Sequence, residues 1–242
     1  MAKVENMSAI LGRIQERGLF QAITRFQYVP VDMEMSLDIV ENIGKARNPK
    51  FQIDNENRFT YENFIRWVHC DTEMKCLAPE TKQEIAGRLK SGIYIAGNTG
   101  SGKSWALEIM SAYAMVYNFQ IQIGETKRCL YWNNTRTDAI CDEYVADGTF
   151  EKYKKMSIIG IQDLGAEPAE SLYMGNRVNV LRQILEYRGD FTDKVTLITS
   201  NLPMNHKTFI DRYGDRVASR LNEMCNYFEI SGTDRRKKNC VI

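Results

Sequence analysis

Two histidines and five prolines are all that a chain of 242 residues contains, and its six cysteines form no C-x-x-C pair. His69 and His206 lie far apart, and Cys70, Cys76, Cys129, Cys141, Cys225 and Cys240 are scattered. No metal-ligand spacing results, so a zinc site is not expected. Scattered thiols in a chain of this size read as reduced and intracellular. No apolar run approaches the roughly 18 residues that a membrane helix needs. The opening Met1-Ala-Lys-Val-Glu-Asn6 lacks the apolar stretch of a signal peptide. No membrane contact and a cytoplasmic location are the resulting expectations. Neither sign of charge dominates: the formal net charge is +1. No global field draws the chain onto nucleic acid, and any such contact must come from a local patch.

What is present is ordinary globular material, 43% apolar and 26% charged. That suffices for one α/β domain and a smaller N-terminal piece. Apolar residues recur at helical spacing over 5–17, before Gly18, and over 36–46 and 60–69. Phe51-Gln-Ile53 is the one strand candidate among them. Residues 1–85 therefore read as a mostly helical region, and 86–242 as a separate unit. From residue 92 short apolar runs alternate with helical stretches. Strands are expected at 93–96, 128–132, 158–161, 195–199 and 227–230, with a further short one at 119–123. Helices are expected at 103–117, 138–146, 176–187 and 215–224. Strands and helices in alternation predict an α/β fold, a five-stranded, mostly parallel sheet flanked by helices.

Between the first strand and its helix lies Gly97-Asn98-Thr99-Gly100-Ser101-Gly102-Lys103-Ser104, which fits G-x-x-x-x-G-K-[ST] at every fixed position. The glycines allow backbone N–H groups to converge on phosphate oxygens. Lys103 would meet the β- and γ-phosphates of ATP, and the Ser104 hydroxyl would ligate Mg²⁺. The opening helix adds its positive end. Such sites need an acid at the tip of another strand, and Ile158-Ile-Gly-Ile-Gln162-Asp163-Leu-Gly165 supplies Asp163. Asn201 ends the strand Leu197-Ile-Thr-Ser-Asn201, where it can bond the γ-phosphate or the lytic water, or cap the turn before Pro203.

With these motifs the chain resembles the AAA+ ATPases of the DnaC/IstB type, bacterial helicase loaders and transposition helpers. The resemblance rests on Gly92 to Ser104, Gln162-Asp-Leu-Gly165, Gly175 to Val180 with Leu185-Glu-Tyr-Arg188, Thr196 to Asn201, and Arg212 to Leu221. It covers about residues 90 to 236. It implies a P-loop NTPase of the AAA+ fold that takes ATP and Mg²⁺, with Asn201 as sensor I. Arg220 would be an arginine finger reaching a neighbouring subunit's nucleotide in a homo-oligomer, and Arg235 a candidate sensor II, with Arg216 a weaker candidate for either role. The N-terminal region would bind a partner, a replicative helicase, and the core would act on single-stranded DNA. The sequence departs from the family at Gln162, where an acid is usual. In one register Gln162 takes the metal position and Asp163, linked to Mg²⁺ through water, is the base. On that register Gln162→Asp should speed hydrolysis. In the other, Asp163 is the metal carboxylate and Glu167 the base. Slow hydrolysis is expected in the first.

A transposition helper assembling on duplex DNA remains the alternative to a loader. A small-molecule kinase, which would need an arginine-rich lid, and a non-hydrolysing pseudo-ATPase are further readings. Arg235 to Lys238 forms a compact basic run that can meet a phosphate backbone or serve as a solvated tail. Tyr131 and Trp132 could stack on bases, though core packing suits a strand better. Phe20, Phe26, Phe51 and Phe59 read as packing, with Phe51 or Phe59 able to face the adenine.

Overall fold

The computed structural model describes residues 6–16, 23–25, 28–123, 126–232 and 234–235. Gly18, Phe20, Phe26, Cys240 and residues 236–238 of the basic run lie outside them. The elements run α1 (Met7–Glu16), β1 (Ile23–Arg25), α2 (Met33–Arg47), α3 (Arg58–His69), β2 (Lys75–Leu77), β3 (Glu84–Ala86), β4 (Gly92–Ala96) and α4 (Lys103–Val116). They continue with β5 (Gln120–Ile123), β6 (Thr126–Cys129), β7 (Asn134–Arg136), α5 (Thr137–Asp147), α6 (Glu151–Lys155), β8 (Ile158–Leu164), β9 (Ser171–Tyr173) and β10 (Asn176–Val178). The last are α7 (Val180–Gly189), β11 (Val195–Ser200), α8 (Lys207–Tyr213), α9 (Asp215–Met224) and β12 (Cys225–Glu229).

The central sheet has seven strands in the order β3-β2-β12-β4-β11-β8-β7. Five of them, β12 to β7, are mutually parallel. β2 and β3 add an antiparallel edge from the N-terminal region, where only helices and Phe51–Ile53 were expected. Phe51–Ile53 itself is not a strand.

The central strands are apolar on both faces because helices cover both. β4 and β11 are buried along their whole length. Successive side chains alternate between faces. Ile93 and Ile95 therefore join one core, with α3 residues Phe64 and Trp67 and α4 residues Leu107 and Met110. Tyr94 and Ala96 join the other, with α5, α7, α8 and α9. α2 packs on α3 and α4, so this part of the N-terminal region shares the first core.

One strand differs from expectation. The run at 128–132 ends at Cys129 as β6 and pairs antiparallel with β5 in a separate small sheet with β1. Its Lys127 and Arg128 cannot be buried on both faces of a parallel sheet, whereas Leu130 and Trp132 beyond it enter the core. The strand beside β8 is instead the short, polar β7. Residues 171–178, expected in part as helix, form the β9–β10 hairpin, and α7 starts at Val180. Among the described residues no helix is long and apolar enough to cross a membrane.

Candidate functional site

The carboxyl ends of the parallel strands β4, β7, β8 and β11 open on one cleft of about 820 Å³, the expected place for a ligand in such a sheet. Thr99 to Trp105 form its floor, with Gln162, Asp163, Arg136 and Asn201 from the strand tips. Arg47, Lys50, Phe51 and Tyr61 from the N-terminal region, with Arg235, form the opposite wall.

The phosphate loop is shaped by glycine. A side chain at Gly97, with φ of 154°, would begin 2.2 Å from the Ile230 carbonyl oxygen. At Gly100, with φ of 80°, it would begin 2.0 Å from the Asp234 carboxylate. Neither backbone conformation suits another residue. Lys103 is buried at the start of α4, and its Nζ donates to Asn98 O at 2.7 Å and to Asn201 Oδ1 at 2.8 Å. Ser104 Oγ donates to Asp163 Oδ1 at 3.2 Å. Asp163 has φ of 61°, a left-handed conformation that aspartate tolerates better than most residues. Its N–H bonds Thr199 Oγ1 at 3.0 Å, and Thr137 Oγ1 donates to its carbonyl at 3.0 Å. These bonds pin the strand tip so that the carboxylate faces the loop.

Gln162 also lines the cleft but turns its amide to α4. Its Nε2 donates to Glu108 Oε1 at 2.9 Å and to Ser104 O at 3.3 Å. Asp163, not residue 162, therefore sits against the Ser104 hydroxyl in the place for a metal carboxylate. The register with Gln162 beside the metal does not match this geometry. The other register loses its base, because Glu167 is buried away from the cleft. It accepts from Gly165 N at 2.9 Å, from the Tyr213 hydroxyl and from Arg212. The expectation for Gln162→Asp reverses accordingly. The variant removes a donor and sets a carboxylate beside Glu108, so turnover should not rise. Stability should fall by about 1–3 kcal/mol, read by urea denaturation; a gain in turnover would restore the first register.

Glu108 was not anticipated, although it lies four residues after Ser104 and so on the same helix face. It pairs with Arg47, whose guanidinium also lies over the Trp105 ring, 5.0 Å from its centroid. Arg136 and Trp105 were also missed; nothing in their local sequence marks them. Phe51 lines the cleft between Tyr61 and Trp105, with ring centroids 6.0 and 6.1 Å away. Phe59 instead packs on Phe228. Trp132 is core, stacked on Phe64, and Tyr131 is exposed.

Arg235 reaches the site: its N–H bonds Gly100 O at 3.0 Å, and its guanidinium bonds Asp54 at 2.7 and 3.0 Å and Glu56 at 3.3 Å. Arg220 stands apart from the cleft of its own chain. It pairs with Asp190 at 2.5 Å and Glu223 at 3.6 Å, and Arg216 lies 3.8 Å from Asp190.

The residues present fit a hydrated Mg²⁺ beside a triphosphate. Ser104 and Asp163 offer hard oxygens, Gly97 and Gly100 leave no room for side chains, and Ser101 Oγ is buried with no hydrogen-bond partner among the described residues.

No protein-family model matches the sequence, and no curated protein matches it significantly. Solved structures do resemble it. A candidate primosome component from Streptococcus pyogenes serotype M3 is 18% identical, with 76% of this chain and 84% of that one covered and a TM-score of 0.50. The DnaC helicase loader is 15% identical over 76% of this chain and 94% of its own, with a TM-score of 0.46. AMPPCP-bound DnaA from Aquifex aeolicus is 17% identical over 75% of this chain, which spans 49% of that protein, with a TM-score of 0.46. The likeness is one of fold, a mostly parallel sheet flanked by helices, and it is in keeping with the DnaC/IstB-type resemblance of the sequence.

Proposed function

We propose that this protein binds and hydrolyses ATP as an AAA+ switch of DNA replication, loading a replicative helicase onto single-stranded DNA. The observation that carries the nucleotide reading is the convergence of Lys103, Ser104, Asp163 and Asn201 at one end of the phosphate loop. Lys103 would neutralise the β- and γ-phosphates, and the loop N–H groups with the start of α4 would cradle them. Asn201 would hold the attacking water or the γ-phosphate through its amide. Ser104 and Asp163 would hold Mg²⁺, Asp163 through water, and a bound Mg²⁺ would neutralise charge on the transferring phosphoryl group.

Among the described residues the other acid lining the cleft, Glu108, is engaged by Gln162 and Arg47, and Glu167 is locked to Tyr213. Hydrolysis by the isolated chain should therefore be slow, and faster once a neighbouring subunit presents Arg220. The loader reading rests on the resemblance of residues 90 to 236, and it assigns partner binding to residues 1–85. Steady-state ATP turnover with Mg²⁺, measured with and without single-stranded DNA, tests it. Turnover that rises with single strands supports the reading. Stimulation by long duplex DNA alone would move the protein to transposition.

A further inference from the structure

We propose that Arg136 is a phosphate-binding residue of this site, contacting the terminal phosphoryl group of ATP from within the same chain and making ATP binding only weakly dependent on Mg²⁺. The inference rests on the nucleotide reading above. Its observations concern a side chain that no motif marks.

Arg136 is the last residue of β7 and is paired in register with Gln162 of β8. This places it beside Asp163 at the carboxyl end of the sheet, and its side chain lines the same cleft as Lys103 and Ser104. The guanidinium is oriented. Asp138 accepts from Nε at 3.1 Å and from Nη2 at 2.9 Å, a two-pronged grip on one edge. Nη1 is turned to Asp163, 3.6 Å from Oδ2. That separation exceeds a hydrogen bond, so the contact is one of charge and can yield to a better acceptor. A phosphoryl oxygen held at Ser104 and Lys103 would be such an acceptor, and Arg keeps its charge at any working pH.

The charge balance points the same way. A site with two acids at this strand tip repels a triphosphate until a metal screens them. Here Gln162 is neutral, and the nearby Glu108 is engaged by Arg47 and Gln162. Asp163 accepts from the Ser104 hydroxyl, and a fixed cation stands beside it. The anion then need not wait for the metal. An exposed Arg136–Asp138 pair serving only as a surface ion pair would contribute little to anything. The facing of Nη1 into the cleft sets this pair apart.

The test is equilibrium binding of ATP and ADP to the full chain, with Mg²⁺ and in EDTA, for wild type, Arg136→Ala and Arg136→Lys. Arg136 is 59% exposed, so its variants should fold, which circular dichroism checks. Wild type should keep ATP affinity in EDTA within about tenfold of its Mg²⁺ value. Loss of a charge-assisted bond should weaken ATP for Arg136→Ala in EDTA by about tenfold or more. ADP, lacking the terminal group, should weaken less than about threefold. Arg136→Lys should recover part of the loss. Equal losses for ATP and ADP, or no loss for ATP, would overturn the proposal while leaving the nucleotide site standing. Wild type binding neither nucleotide in either buffer would overturn the nucleotide reading itself, and this inference with it.

Discussion

Lys103→Ala is expected to abolish usable ATP binding, raising the Kd at least about a hundredfold, with the fold intact. The ammonium is buried at the base of the phosphate loop, held by Asn98 O and Asn201 Oδ1. Lys103 and Asn201 both line the cleft. Each charge-assisted bond to phosphate contributes about 1.5–3 kcal/mol. Two such bonds, to the β- and γ-phosphates, together account for two to four powers of ten in affinity. The cost to the fold is smaller. Asn98 O and Asn201 Oδ1 lose a donor, but Asn98 is exposed and Asn201 lines the cleft, so water can replace it. The desolvation of a buried ammonium is relieved at the same time. Calorimetric titration with ATP, beside a thermal melt of both proteins, reads the two effects apart. Lys103→Met, which keeps the apolar stem, should bind as poorly as alanine. Binding within about threefold of wild type would mean that the loop amides carry the phosphates alone.

How far the sequence revealed this site depends on what each residue's role requires. The phosphate loop is legible because its chemistry needs fixed residue types at fixed spacing. Asp163 and Asn201 were legible as polar residues ending apolar strands. Their neighbours were not, because which way they point depends on backbone detail. The left-handed turn at Asp163 and a register shift between β8 and β11 put Asp163 on Ser104 and send Gln162 towards α4. No periodicity argument foresees one such residue. The same holds for Arg136. β7 is three polar residues, Asn-Thr-Arg, and only its pairing with β8 makes it a central strand. The more apolar run just before it attracted the assignment instead. β2 and β3 escaped notice for a similar reason, being three residues each and partly or wholly exposed. The layered α/β fold was legible because long buried strands such as β11 leave no other reading. Arg220 pairs with Asp190 and Glu223 outside the cleft, and a residue that acts on a neighbour's nucleotide leaves no mark in its own.

Arg188→Ala is the substitution expected to cost most in stability, and it couples the fold to the site. Arg188 is fully buried at the end of α7. Its Nε donates to Thr196 Oγ1 at 2.8 Å, Nη2 to Val195 O at 2.8 Å, and Nη1 to Tyr153 O at 3.0 Å and to Met156 O. Burial lowers its pKa to about 10, so it remains charged at neutral pH and its donors stay in use. These bonds fasten α7 to the turn before β8 and to the start of β11. The opposite tips of those two strands carry Asp163 and Asn201. Truncation strands several buried carbonyls, at about 1–3 kcal/mol each when unsatisfied, and opens a void where a large side chain stood. A total near 3–5 kcal/mol is in the range for losing a buried charged anchor. In a chain of this size that is about 10 °C in Tm. Arg188→Lys should recover only part, since one ammonium cannot span oxygens on two elements. Arg188→Met separates the two contributions, because it fills most of the volume and bonds nothing. If the carbonyls matter, methionine melts well below wild type and ATP affinity falls with the loosened strand tips. If methionine melts at or above wild type, the cost of desolvating the guanidinium outweighs its bonds, and the anchor is dispensable to stability.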